Sequence, residues 1–139
     1  MIAVPASFVW LFFAVLFIIL STNIIQTISL HKIFSRLQKP VTMNRFRPNL
    51  VVSGCDPFAE DKWKKIKIGA QVFYVVKPCS RCIITTVDPA TGRTGKEPLK
   101  TLATFRKVNG KVMFGQNLVH ETPGRVSVGE QVDILEKWT

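Results

Sequence analysis

Charge is missing from the front of this chain. No Lys, Arg, Asp or Glu occurs before Lys32, and the first acid is Asp56. Acids stay scarce throughout, with nine Asp and Glu against 19 Lys and Arg, a formal charge of +10. Lys32, Arg36, Lys39, Arg45 and Arg47 therefore follow one another with no acid among them. Such a block suits an anionic partner: phosphate, nucleic acid, or lipid headgroups beside a membrane. A spaced series of aromatics for stacking bases is missing around these arginines, so no nucleic-acid partner is expected. Cysteine is nearly absent too. Three cysteines cannot all pair, and Cys79 and Cys82 stand too close together to staple a fold, which favours a reducing compartment. Internal repeats and low-complexity tracts are absent. At 139 residues the chain can form one small domain with its own core plus an appendage.

What is present in place of charge is an apolar run. "VPASFVWLFFAVLFIILSTNIIQTISL" continues uncharged to Leu30, longer than the roughly 20 residues that cross a bilayer. A secretory signal would carry a basic start, a shorter apolar run and a small-residue cleavage site, and Met1 to Ser7 offers neither a side-chain cation nor a clear cleavage motif. Residues 1–28 are accordingly expected as one N-terminal transmembrane helix. The cations all follow it, so the positive-inside tendency places the rest on the cytoplasmic side of an inner or plasma membrane, single-pass, with membrane lipid as a partner. The alternatives are a buried core helix over Phe8–Leu20, and upstream sequence joined to a truncated reading frame. Aromatics on every side of the segment leave no polar stripe for water, which disfavours the core helix.

After Pro40 the pattern changes to short runs rich in β-branched and aromatic residues. "NLVVSG", "KIKIG", "QVFYVVK", "CIITTV", "VMFG" and "VDIL" are each bounded by turn formers, and strands this closely spaced predict a mainly β domain curled into a barrel. "EPLKTLATFR" is the exception. Leu99, Leu102 and Phe105 fall about one turn apart, and Pro98 suits the first turn of a short helix. "DPATGRTG" reads as a solvated, mobile loop.

The chemistry concentrates in "KPCSRC". Zinc would need four ligands in a closed site or three plus water, and Cys55, Cys79, Cys82 and His120 could supply a set, although a knuckle normally repeats its close pair. A redox dithiol would want a helix starting just after the second cysteine, where "IITTV" has strand composition. Two small half-buried cysteines at a strand end need no function. The remaining possibility is a single thiolate between Lys77 and Arg81, whose charges favour ionisation of a neighbouring thiol. It would ligate a soft metal centre held mainly by its own organic ligand.

Four stretches, "MNRFRPNLVVSGCDPFAEDKW", "KPCSRCIITTVDPATG", "GKEPLKTLATFR" and "FGQNLV", occur in order, and together they resemble the MOSC domain. The likeness is to molybdenum-cofactor enzymes of the mitochondrial amidoxime-reducing component type and their bacterial homologues, from about Ser29 to about Glu136. It implies a MOSC-type β-barrel over residues 29–139 that carries molybdenum-molybdopterin, with Cys82 as the metal ligand and catalytic residue. Arg47 and Asn49 match positions that contact the pterin and its phosphate, Ser80 and Arg81 match the loop beside the metal, and Asn117 stands where relatives carry an aromatic contact. Physical chemistry is compatible with these roles, since an arginine fork binds phosphate and an asparagine can donate to and accept from a pterin edge. Cys79 is expected not to be a ligand. Asp56 is the nearest candidate acid in the motif, against a plainer role as a loop cap.

The resemblance also implies reduction of N-hydroxylated compounds, with electrons from an external flavin reductase or ferredoxin-like protein; the wider family is further associated with pyridoxal phosphate. Relatives place a second β-rich domain before "RFRPN", and some bacterial ones append a ferredoxin domain. Neither is expected in this chain, so the missing half of the cofactor cradle would come from a separate N-terminal family domain. The rival readings are a cofactor or sulfur carrier like the C-terminal domain of cofactor sulfurases, and an inactive truncated remnant.

Overall fold

The computed structural model describes residues 22–139. Seven strands form one sheet in the order β2-β1-β6-β4-β3-β7, with β5 paired to β6. They are β1 (Thr22–Gln26), β2 (Leu50–Val52), β3 (Trp63–Ile68), β4 (Gln71–Arg81), β5 (Lys107–Val108), β6 (Lys111–His120) and β7 (Val132–Lys137). Two short helices interrupt them, α1 (Thr27–Phe34) and α2 (Leu99–Ala103). β1 and β2 run parallel, joined through α1, and the other pairs are antiparallel. That assignment suits the chain, because parallel neighbours need a crossover and antiparallel ones only a turn.

The sheet curls without closing. Ile24, Val52, Trp63, Ile66, Phe73, Val75 and Leu118 come from five strands across the order and share one buried cluster, which a flat sheet could not bring together. β2 and β7 end the strand order and do not pair. The expected barrel is therefore a half-barrel. A second cluster, Ile25, Leu30, Ile33, Phe46, Leu102 and Phe114, lies between the other face of β1 and β6 and the two helices. The alternation Ile24/Ile25 thus feeds both cores from one strand. α2 buries Leu102 fully, and Phe105, just past its end, packs at the edge of this second core.

Two expectations need correction, and one gains detail. Residues 22–28 are not the end of an anchor: they form β1 and the first turn of α1, where Gln26 caps the helix by accepting from the Ser29 amide at 3.1 Å. The rest of the expected transmembrane segment, residues 1–21, lies outside the described residues. Among the described residues, no helix is long and apolar enough to cross a membrane. "CIITTV" is not a strand. Ile83–Thr86 is a 3-10 turn, because the Thr85 and Thr86 hydroxyls donate back to the Cys82 and Ile83 carbonyls at 3.0 and 2.7 Å, an option open to threonine and closed to valine. "DPATGRTG" is exposed but closed on itself: Val87 bridges Thr94, and the Asp88 amide donates to the Arg93 carbonyl at 2.8 Å.

Candidate functional site

The end of β4 is bent to present its last residues. Pairing with β6 slips twice, between Val75 and Lys77 and between Pro78 and Ser80. Pro78 has no N–H to give a ladder, and such bulges re-aim side chains. Gly115 lies opposite the second slip with φ +75°. A Cβ there would stand 2.6 Å from the Ile24 carbonyl oxygen and 3.2 Å from Arg81 Nη2. Only glycine fits, and its smallness lets Arg81 lie against β6.

Arg81 joins the two signature motifs. Its Nε donates to the Phe114 carbonyl at 2.7 Å and Nη1 to the Phe46 carbonyl at 2.8 Å, while Nη2 is 3.5 Å from Asn23 Oδ1. It has no ion-pair partner among the described residues. Burial pulls its pKa below the ordinary arginine value, and the adjoining Cys79 and Cys82 sulfurs push it back up. Arg45 makes the reciprocal link, donating to the Thr86 carbonyl at 2.9 Å and pairing with Asp88 at 3.1 Å. The "RFRPN" turn is therefore tied by Arg81 to the end of β4 that carries "CSRC", and by Arg45 to the segment just after it. At the first turn's end, Arg47 takes a left-handed conformation, φ 48°, and is exposed.

A polar row completes the surface. Asn23 of β1 pairs with Asn117 of β6, which pairs with Lys77 of β4. Side chains paired across strands share a face. Asn49 joins this row from the loop before β2: its Oδ1 accepts from the Asn23 amide at 3.0 Å, and its own amide donates to the Asn23 carbonyl at 3.1 Å. Asn117 Nδ2 reaches the Pro78 carbonyl at 3.5 Å. Ser80 and Cys82 are exposed and Cys79 is half-buried. Of the expected site residues, the structure brings Arg47, Asn49 and Asn117 to the edge that holds the "CSRC" turn, and it turns Arg81 inward as their brace. Asn23 was not anticipated, since its place at the centre shows only once three strands are paired.

Cys55 belongs to a different place. Gln26 Nε2 donates to its carbonyl and lies 3.0 Å from its sulfur. The Ser29 hydroxyl, in turn, is 2.9 Å from Gln26 Oε1 and 3.4 Å from the Glu60 carboxyl, and accepts from the Phe58 amide at 2.7 Å. Burial raises the Cys55 thiol pKa, against a lowering by Gln26. No three His, Cys, Asp or Glu side chains converge on a metal-sized space among the described residues, so the zinc set of Cys55, Cys79, Cys82 and His120 is not assembled. Asp56 is exposed, and its carbonyl closes a turn with the Ala59 amide at 3.1 Å.

The MOSC domain family model matches residues 21–133. The chain belongs to the MOSC domain family. Over 121 residues it is 47% identical to mitochondrial amidoxime-reducing component 1 of Homo sapiens, covering 81% of this chain and 36% of that protein. The counterpart from Danio rerio is 44% identical over 103 residues, 70% of this chain and 32% of that protein. Molybdenum cofactor sulfurase of Arabidopsis thaliana is 41% identical over 106 residues, 72% of this chain and 13% of the sulfurase. The chain thus spans about a third of the amidoxime-reducing components it matches. The matched MOSC region reaches back to residue 21, one residue before β1, which agrees with the strand found there.

Proposed function

We propose that this MOSC domain holds a molybdenum cofactor through Cys82 and forms the cofactor-holding part of a reductase of N-hydroxylated compounds. The observation that carries this reading is the clamp between the two motifs. Arg81 and Arg45 fix an exposed thiol beside the left-handed Arg47 turn and a row of amide side chains. The donor set fits the group. One exposed soft thiolate suits a metal whose other ligands are its own, Arg47 and Lys77 offer phosphate two cations, and Asn49 and Asn117 offer a heterocycle edge both donors and acceptors.

When bound, the cofactor supplies a centre that accepts oxygen and passes electrons; an N-hydroxylated amine would become amine and water by taking up two electrons and two protons. The chain's residues hold and orient that group, and the clamp keeps Cys82 from swinging away. Electrons come from an external flavin reductase or ferredoxin-like protein, and a separate N-terminal family domain would close the open side of the cradle. The apolar N-terminal segment would tether the domain to the cytoplasmic side of a membrane. The test is molybdenum analysis of the purified protein, then turnover of an amidoxime with reduced viologen dye as electron source. Molybdenum retained with amidoxime consumed supports the reading, and protein that binds no molybdenum even with the complementing domain refutes it. Likeness to a molybdenum cofactor sulfurase favours one second reading, a carrier domain, which would retain cofactor without turnover.

A further inference from the structure

Among the described residues only Lys64 and Lys65 lie within ion-pair distance of a carboxylate, and three of the remaining lysines gather around one hollow. On β3, Lys64 lies 2.8 Å from Glu136 and Lys65 lies 3.4 Å from Glu121. On the other side, Lys96, Lys100 and Lys107 line a hollow of about 440 Å³. None of the three has a carboxylate within ion-pair distance among the described residues. Glu97, the acid closest to them in sequence, is engaged in capping α2, where the Thr101 amide donates to its Oε2 at 3.0 Å. Between the lysines the hollow is apolar, lined by Ile83, Leu99 and Val112. Ile83 keeps 67% of its surface exposed and follows Cys82 directly in the chain.

We propose that this hollow is the docking surface for the acidic face of a small electron-carrier protein. The inference rests on the reading of Cys82 as the metal ligand, and it adds where the electrons arrive. Unmatched like charges around an apolar floor repel one another in the free protein and are relieved by an acidic partner, which they also steer on approach. A polar rim around an apolar centre is the general make-up of a protein interface. A carrier that must leave after each delivery needs only a small contact, below about 1,200 Å². Two one-electron carriers must visit for each oxygen removed, so fast exchange is an advantage. An anionic membrane would meet the same lysines, and the vesicle measurement below separates the two.

The experiment uses the full chain in uncharged detergent and a plant-type ferredoxin as the acidic carrier. Binding is read by calorimetry at low salt, with molybdenum content measured on the same samples. Combining Lys96→Glu, Lys100→Glu and Lys107→Glu should weaken binding about tenfold or more. Combining Lys64→Glu, Lys65→Glu and Lys67→Glu changes net charge equally and should weaken it by less than about twofold. Equal weakening in both triples, or no binding by the wild-type chain, overturns the proposal. So does a hollow triple that loses phosphatidylserine-vesicle binding while keeping ferredoxin, which would assign the lysines to lipid. Because binding is read without turnover, failure of the cofactor reading appears as absent molybdenum with charge-dependent binding intact. Failure of the docking reading appears as molybdenum present with binding indifferent to the hollow.

Discussion

Cys55 and Cys82 sit in two motifs of the same domain under opposite physical conditions. Cys55 is half-buried in a side-chain network of Gln26, Ser29 and Glu60, and burial raises its thiol pKa. Cys82 is exposed at the end of a bent strand, beside a half-buried guanidinium held by carbonyl oxygens. A thiol that is hydrogen-bonded and enclosed serves packing. One that is exposed and braced by a fixed cation can reach a ligand, and thiolate chemistry is generally found in such electropositive, accessible places.

The sharpest way to break this contrast is metal content. Cys82→Ser should remove bound molybdenum altogether, because a hydroxyl is a poor replacement for a soft thiolate. Cys79→Ser should retain most of it, and Cys55→Ala should leave the metal-to-protein ratio unchanged while lowering stability. Elemental analysis of the three variants decides. Equal loss in Cys79→Ser and Cys82→Ser would replace the single-thiolate site with a two-cysteine one.

Next in size is removal of the brace. Arg81→Met should cost about 2–4 kcal/mol, since charge-assisted hydrogen bonds to the Phe46 and Phe114 carbonyls disappear and leave buried acceptors unpaired. It should also reduce molybdenum retention in the protein that remains folded, because the "RFRPN" turn loses its tie to the "CSRC" turn. Denaturant unfolding checks the first effect and elemental analysis of the folded fraction the second. Gly115→Ala tests the same brace from the opposite strand. A methyl group 2.6 Å from the Ile24 carbonyl, on a backbone with φ +75°, should cost about 1–3 kcal/mol. Thermal unfolding would show it as a lowered Tm, and a wild-type Tm would mean that β1 and β6 can separate freely at this point.

Legibility in the sequence differed between these regions for physical reasons. β3, β4 and α2 show as β-rich runs or one-turn spacing, so these elements were legible, and Ile66, Phe73, Val75 and Leu102 are the residues they bury. β1 was hidden because its apolar residues continue an apolar run with no break in composition at Thr22. "CIITTV" misled because β-branched composition is shared by strands and by threonine turns that bond their own backbone. At the site, Arg47, Asn49, Arg81 and Cys82 were legible only through resemblance to a family. Arg81 was expected in the loop beside the metal, and its packing against Phe46 and Phe114 depends on a glycine on another strand, which no local pattern shows. Asn23 and Glu60 carried no local signal at all, because their roles arise from pairings 26 and 31 residues distant in sequence.

The smallest effect expected lies on the Cys55 side and concerns pH. Glu60 is fully buried, and burial raises its pKa to about 7; Asp61 adds to the shift, while its backbone hydrogen bond, Arg106 and Ser29 oppose it. The Ser29 hydroxyl donates at 2.9 Å to Gln26 Oε1 and is 3.4 Å from both Glu60 carboxyl oxygens, so it offsets little of the burial. The folded state therefore keeps a proton that the unfolded chain releases near pH 4.5. Stability from this group is complete below about pH 4.5, falls as pH rises toward about 7, and levels off beyond that. The total loss is on the order of 3 kcal/mol. Glu60→Gln keeps the shape and removes the titration, so its unfolding free energy should be flatter across this window than that of the wild-type chain. Cys82→Ser should keep the wild-type slope, since its thiol lies outside the Glu60 network. If the Glu60→Gln and wild-type curves run parallel from pH 4.5 to 7, Glu60 is charged in the folded protein and the Cys55 side is not the neutral, enclosed half of the contrast.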